Sequence, residues 1–207
     1  APPDPDEDED VATERRAVEE MIKKRTLGGG DGSSSSSTSS TNPGRGEGDA
    51  LPIECLSLRK VYAGGKVAVR NQTFSVRHDE CFGLLGPNGA GKTTTISMLT
   101  GLYPPTSGNA HIYGFDIRTQ MAKIYEMMGV CPQFDILWPL LTVVETLRFY
   151  CKLKAVPSGQ WHQTAVDAAF SVDLGHARNR RVGRLSGGMK RRVSLAISLV
   201  GNPKVVF

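Results

Sequence analysis

The run Gly86-Pro87-Asn88-Gly89-Ala90-Gly91-Lys92-Thr93 restricts the fold more than any other feature of the 207 residues. It satisfies G-x-x-x-x-G-K-[ST], a pattern that cradles phosphate when it links a strand to a helix. The apolar run Cys81-Phe82-Gly83-Leu84-Leu85 predicts a buried strand before it. Thr94, Thr95, Ile96, Ser97, Met98 and Leu99 predict the first turns of a helix after it. Glycines let the backbone curl close to a ligand. Successive N–H groups then converge at a helix N-terminus, where anions are favoured. Lys92 adds a mobile positive charge for β- and γ-phosphates, and the Thr93 hydroxyl suits a Mg²⁺ ion. The plain alternative is a Gly-rich turn with an unrelated lysine, which the strand–loop–helix context disfavours. The expected ligand is a nucleoside triphosphate.

Charge and cysteine content bound the partners. The chain carries 25 Lys and Arg against 21 Asp and Glu, a net charge of +4. Six of those acids (Asp4, Asp6, Glu7, Asp8, Glu9, Asp10) fall in the first ten residues, which hold no base, so the remainder is strongly basic. A basic body suits polyanions, nucleotides and anionic membrane surfaces alike. Cys55, Cys81, Cys131 and Cys151 include no C-x-x-C pair and read as reduced, buried thiols. His78, His111, His162 and His176 lack metal-ligand spacing. No apolar run reaches the ~18–20 residues of a membrane span, and no signal-peptide pattern opens the chain, so this segment is expected to be soluble.

Three segments separate by composition. Residues 1–27 form an acidic leader followed by a helical pattern, with Asp10 a candidate N-cap, Lys23, Lys24 and Arg25 at the far end, and Gly28, Gly29 and Gly30 as the stop. Residues 28–50, rich in Gly, Ser and Thr, read as a flexible tether. Residues 51–207 read as the folded unit. Strands are predicted over Ile53 to Tyr62, Val67 to Val76, Ala110 to Tyr113 and Met128 to Cys131, with Lys204 to Phe207 beginning another buried strand. Helices are predicted over 117–128, 143–153, about 161–171 and Gly187 to Leu199. The alternation argues for an α/β nucleotide-binding core with an antiparallel β layer.

Three further signals occur in order. Tyr62 stands at a strand end, where its ring could stack on adenine or belong to the core. Gln133, in Gly129-Val130-Cys131-Pro132-Gln133-Phe134-Asp135, follows an apolar strand; it could reach Mg²⁺ or an attacking water, or be an ordinary surface residue. Leu185-Ser186-Gly187-Gly188 precedes the basic run Met189-Lys190-Arg191-Arg192 and could form a second anion site, although alone it reads as a serine N-cap. Glu145 invites a catalytic role, but Thr142-Val143-Val144-Glu145 is a capping box, T-x-x-E. Arg178, Arg180, Arg181 and Arg184 read as a solvated basic face; assisting nucleotide approach or docking an acidic segment are the alternatives.

Together the set resembles the nucleotide-binding domain of ATP-binding cassette (ABC) proteins over about residues 52–207, with Walker A, Q-loop, LSGG signature and aromatic A-loop in family order. Glu80-Cys81-Phe82-Gly83-Leu84-Leu85-Gly86, Cys131-Pro132-Gln133-Phe134-Asp135, and Asp8-Glu9-Asp10-Val11 before Glu14-Arg15 look most like the eukaryotic A subfamily, which is associated with lipid movement. The resemblance implies an α/β fold with a P-loop NTPase (RecA-like) core, an antiparallel β layer and a helical subdomain, C-terminally incomplete. It implies ATP and Mg²⁺ as cofactors. Nucleotide contacts would come from Tyr62, Gly86, Asn88, Gly89, Ala90, Gly91, Lys92, Thr93 and Thr94. Lys92 and Gln133 would take catalytic roles, with Thr93 and Gln133 at the metal. Ser186, Gly187 and Gly188 would contact the γ-phosphate of ATP held by a second such domain.

The other implied partners are the transmembrane domains of a transporter, with this segment on the cytosolic face of the membrane and no nucleic acid bound. A soluble ABC ATPase acting on ribosomes or nucleic acid is the alternative. In the family, the strand begun by Val205-Val206-Phe207 continues into a Walker B aspartate and a catalytic glutamate, and a switch histidine follows. None of these occurs in the sequence. The resemblance therefore implies a piece of a longer transporter that binds ATP but by itself hydrolyses it negligibly.

Overall fold

The structure, a computed structural model, describes residues 51–207 and, of the first fifty, Thr13, Arg16, Ala17 and Glu20, which are helical and exposed. The Asp10 cap, the Gly28–Gly30 stop and the tether over 28–50 lie outside the described residues. The chain divides into two compact units, one ending at Thr119 and the other running from Gln120 to Phe207.

The first unit contains β1 (Ile53–Val61), β2 (Val67–Val76), α1 (Lys92–Leu99), β3 (Ser107–Ile112) and β4 (Phe115–Asp116). Its sheet has the order β2-β1-β3-β4 with every neighbouring pair antiparallel, which is the expected antiparallel layer. β1 and β2 form a hairpin closed by the Gly64-Gly65 turn, where the Tyr62 N–H donates to the Lys66 carbonyl at 2.9 Å. Ile53, Cys55, Leu58, Val69, Phe74, Val76, Ala110 and Ile112 are buried.

The burial of both Cys55 and Leu58 breaks the two-residue alternation of a regular strand. A bulge absorbs the odd step. The register slips between Cys55 and Leu58 against β2 and between Leu56 and Arg59 against β3. Ser57 takes a φ of 49° there, and its N–H donates to Thr73 Oγ1 at 2.9 Å. Such an extra residue bends and twists a strand. Gly108 crosses the bulge so closely that a Cβ on it would overlap the Ser57 carbonyl.

The second unit contains α2 (Met121–Met127), β5 (Met128–Gly129), α3 (Val143–Leu153), α4 (Trp161–Ser171), α5 (Gly187–Leu199) and β6 (Val205–Val206). β5 and β6 pair in parallel, Met128 with Val205 and Gly129 with Val206. α3, α4 and α5 enclose a core that includes Val143, Leu147, Cys151, Ala165, Ala169, Val193 and Ala196. Val143, Leu147 and Cys151 recur at four-residue spacing, which puts them on one face of α3. The capping box starts that helix: Thr142 Oγ1 accepts the Glu145 N–H at 3.3 Å, and Glu145 Oε2 accepts the Thr142 N–H at 2.7 Å.

Several sequence expectations are corrected. Cys81 to Leu85 is not a buried strand: it pairs with no sheet, and Leu85 is 90% exposed. Phe82 instead stacks flat on Phe74, with ring centroids 5.0 Å apart. An apolar run signals a tendency to be buried, but a strand also needs a backbone partner.

The helix expected over 117–128 begins only at Met121. Asp116 Oδ1 accepts the N–H groups of Arg118 at 2.6 Å and Thr119 at 3.2 Å, a local turn that competes with helix. β3 begins at Ser107, earlier than expected, because Asn109 pairs with Leu56 and Ser107 with Arg59 on either side of the bulge. β5 stops at Gly129, although the Cys131 N–H still donates to Phe207 O at 2.7 Å. Val205 is half-buried and Val206 exposed, not core. Of the cysteines, all free, Cys55 and Cys151 are buried but Cys81 is exposed and Cys131 intermediate.

Candidate functional site

The candidate phosphate loop lies in the first unit. Gly91 is the N-cap of α1 with φ 89° and ψ 2°, and no side chain caps the helix. The first N–H groups of α1 are thus left to an anionic ligand. A side chain at Gly91 would force the loop to shift. A Cβ there would overlap the Ala68 carbonyl and stand 3.0 Å from Val69 Cγ2, so the loop lies hard against β2. Gly86 and Gly89 also have positive φ, at 150° and 89°. Gly86, Asn88, Gly89 and Ala90 are exposed, with Gly91 and Lys92 half-buried.

Lys92 Nζ folds back over the loop, donating to the carbonyls of Gly86 at 2.6 Å and Pro87 at 2.8 Å. Thr93, in the first turn of α1, is exposed. Its hydroxyl is a hard oxygen donor beside N–H donors and an ammonium group. This set fits a polyphosphate carrying Mg²⁺.

The helix is anchored from below by a residue that carried no sequence signal. The buried Thr95 hydroxyl donates to Gln72 Oε1 at 2.6 Å and lies 3.1 Å from the Gly91 carbonyl, tying α1 to β2. Nothing in the pattern of β2 distinguishes Gln72 from its neighbours.

Tyr62, at the end of β1, is half-exposed, and its hydroxyl lies 3.4 Å from Thr94 Oγ1. Its ring meets Tyr103 edge-on at 6.1 Å. Lys60 Nζ sits 5.6 Å from one ring centroid and 5.7 Å from the other, and donates to Pro104 O at 2.6 Å. Tyr62 is therefore held beside the phosphate-loop helix with part of its surface open. Lys60 and Tyr103 escaped the sequence reading because neither belongs to a spaced motif.

Gln133, Ser186, Gly187 and Gly188 belong to the second unit, and all four are exposed. Gln133 lies on the irregular segment between β5 and α3. Ser186 is the N-cap of α5 and accepts the Met189 N–H at 3.3 Å. The serine-cap reading thus holds, with the two glycines following it at the open helix end. Arg178, Arg180, Arg181 and Arg184 are all exposed, a solvated face. Glu145 is exposed, and hydrogen bonds from the Thr142 backbone and hydroxyl hold its carboxyl below the usual carboxylate range, which suits a cap and not a proton acceptor.

Comparison with known proteins places these features in a family. The ABC transporter family model matches residues 69–207. ABC transporter A family member 7 of Arabidopsis thaliana is 50% identical over 162 residues, which are 75% of this chain and 17% of that protein. A family member 10 of Arabidopsis thaliana is 44% identical over 205 residues, 96% of this chain and 20% of that protein. The chain thus spans 17–20% of the length of these relatives. Among solved structures, cbiO1 from Clostridium perfringens, part of the ABC transporter complex cbiONQ, is similar with a TM-score of 0.69 at 24% identity. The match covers 76% of this chain and 64% of that one.

Proposed function

The chain belongs to the ABC transporter family, in its A subfamily, and on that premise we propose that residues 51–207 are the Mg-ATP-binding part of a membrane transporter that moves a lipid or other amphiphile. The observation that carries this reading is the glycine-started helix α1, with Lys92 and Thr93 at its mouth and Tyr62 beside Thr94. Gly86, Asn88, Gly89, Ala90, Gly91 and Thr94 line the phosphates. Lys92 leaves the Gly86 and Pro87 carbonyls to meet phosphate oxygens, and the Tyr62 face supports adenine. Thr93 would hold Mg²⁺, which when bound neutralises phosphate charge and orients the transferred group.

Ser186, Gly187 and Gly188 offer a second helix N-terminus, suited to the γ-phosphate of ATP held by a second nucleotide-binding domain. Hydrolysis belongs to that assembly, and residues 1–207 alone turn ATP over negligibly. The capping bonds of Glu145 support this, since they leave that carboxylate committed to Thr142.

No helix among the described residues is long and apolar enough to cross a membrane. The second unit does expose Phe134 and Ile136 at 77% and 70%, and Leu140, 78% exposed, lines an apolar hollow with Trp138, Pro139, Leu141 and Phe149. A patch of this kind calls for a partner. The transmembrane part of the transporter, with this segment on its cytosolic side, is the partner proposed.

Titration calorimetry of the chain with Mg-ATP tests the reading. Lys92→Ala removes a charge-assisted contact of roughly 1.5–3 kcal/mol, or about tenfold to a hundredfold in affinity. Equal affinities for folded wild type and variant sink the assignment. Tyr62→Ala is expected to weaken ATP by roughly 1–3 kcal/mol while leaving inorganic triphosphate nearly unchanged. If both ligands weaken alike, Tyr62 serves only to pack against Thr94 and Tyr103.

A further inference from the structure

The segment that carries Gln133 has no regular structure of its own, yet it is fastened at its start to α5, which Ser186 caps, and at its end to the turn just before Ser186. At its start, Arg191 Nη1 donates to the Pro132 carbonyl and lies 3.7 Å from Asp135 Oδ1, so one guanidinium spans the residues on either side of Gln133. Three residues along α5, the Ser194 hydroxyl donates to Asp135 Oδ1 at 2.7 Å. Ser194 is 3% exposed, so this bond is shielded from water on the helix side. At the segment's end, the Gly183 N–H donates to Pro139 O at 2.9 Å and the Val182 N–H to Leu141 O at 2.8 Å, just before the signature.

We propose that Asp135 is a positioning residue which, through Ser194 and Arg191, makes the Gln133 segment and the Ser186 end of α5 move as one element. Asp135 Oδ1 faces both the Ser194 hydroxyl and the Arg191 guanidinium. It acts by fixing the Gln133 backbone to the helix that Ser186 caps. A carboxylate bonded to a shielded hydroxyl and facing a guanidinium is a stronger tie than a neutral pair. Coupling between two sites is reciprocal, so what loosens one end loosens the other. This inference rests on the nucleotide reading for its functional meaning, but the mechanical link exists in the ligand-free chain and is measured there.

Residue-resolved hydrogen exchange on the ligand-free chain tests it. The informative amides are Cys131 and Leu141 on the segment, which bond Phe207 O and Trp138 O, and Met189 and Lys190, which bond Ser186. In Asp135→Ala both groups are expected to exchange faster, by roughly tenfold, the scale of one lost charged hydrogen bond. The sheet of the first unit should be unchanged. Asp135→Asn keeps an acceptor for Ser194 and is expected to restore most of the protection at Met189 and Lys190. Ser194→Ala, a milder change, should reproduce the Asp135→Ala pattern, and combining the two should add little.

Faster exchange confined to Cys131 and Leu141, or no change at either place, overturns the proposal. Should Asp135→Ala fail to fold, Ser194→Ala decides by the same two readings. Calorimetry with Mg-ATP on the same samples keeps the two ideas apart. Loss of binding in the wild type would refute the nucleotide reading and leave the exchange result standing.

Discussion

Gly91→Ala is expected to weaken Mg-ATP binding by more than about a hundredfold, the affinity equivalent of roughly 3 kcal/mol. Two costs combine. The φ of 89° at Gly91 is one that an L-residue adopts only with strain, typically about 1–2 kcal/mol. The added Cβ would also meet the Ala68 carbonyl, which belongs to a paired strand and yields poorly. The loop is exposed on its other side, so it moves instead. Displacing it tilts the first N–H groups of α1 away from a common point, and ligand affinity bears the cost.

Gly89→Ala supplies the control. Its φ is also 89°, but a Cβ there meets nothing within 4 Å. Only torsional strain remains, and a loss of about fivefold to tenfold is expected. Calorimetry on both variants, with circular dichroism to show that each is folded, decides the point. Equal losses for the two would mean that contact with β2 does not shape the loop.

Gly108→Ala is expected to be the most damaging single change to the first sheet. Its φ of 73° is strained for alanine, and the new methyl would overlap the carbonyls of both Ser57 and Leu56, with no flexible side chain to give way. The bulge at Ser57 and the crossing at Gly108 are a matched pair, since neither strand passes the other without the missing side chain. A loss of roughly 3 kcal/mol or more follows, lowering the melting midpoint by about 6–12 °C for a chain of this size. Gly65→Ala, at φ 82° with nothing within 4 Å of the added methyl, should cost about 1–2 kcal/mol. Thermal unfolding followed by circular dichroism compares them. Equal shifts would place the cost in torsion alone and dismiss the steric account.

Local chemistry was legible in the sequence wherever it was also decisive. The T-x-x-E box fixed where α3 begins, and Ser186 fixed where α5 begins, because a side chain that satisfies helix N–H groups leaves little choice of start. The β1–β2 hairpin followed from alternation around Gly64-Gly65. Where the outcome depended on a distant partner, pattern was insufficient. Cys81 to Leu85 is as apolar as a core strand, but whether another backbone pairs with it is not written in those residues.

The bulge at Ser57 was equally hidden, since one inserted residue alters the alternation by a single step. The candidate phosphate loop could be named from its spacing alone. Its support, Gln72 beneath Thr95, and the separate tie of Asp135 to Ser194 in the second unit arise from residues brought together by folding across 23 and 59 positions.

The fold-back of Lys92 onto its own loop makes the site a competitor of its ligands. The ammonium already holds two carbonyl oxygens at 2.6 and 2.8 Å, so any anion must outbid them by exchange, not simply arrive. A lone monovalent anion offers one contact for two given up. A chain of phosphates offers several oxygens and, at the same moment, fills the N–H groups of α1. On the proposed nucleotide reading, the loop thereby favours a chain of phosphates over a small anion. Affinity measured for any ligand is the difference between two bonded states, and weakening the Gly86 and Pro87 contacts would sharpen binding while blunting that discrimination.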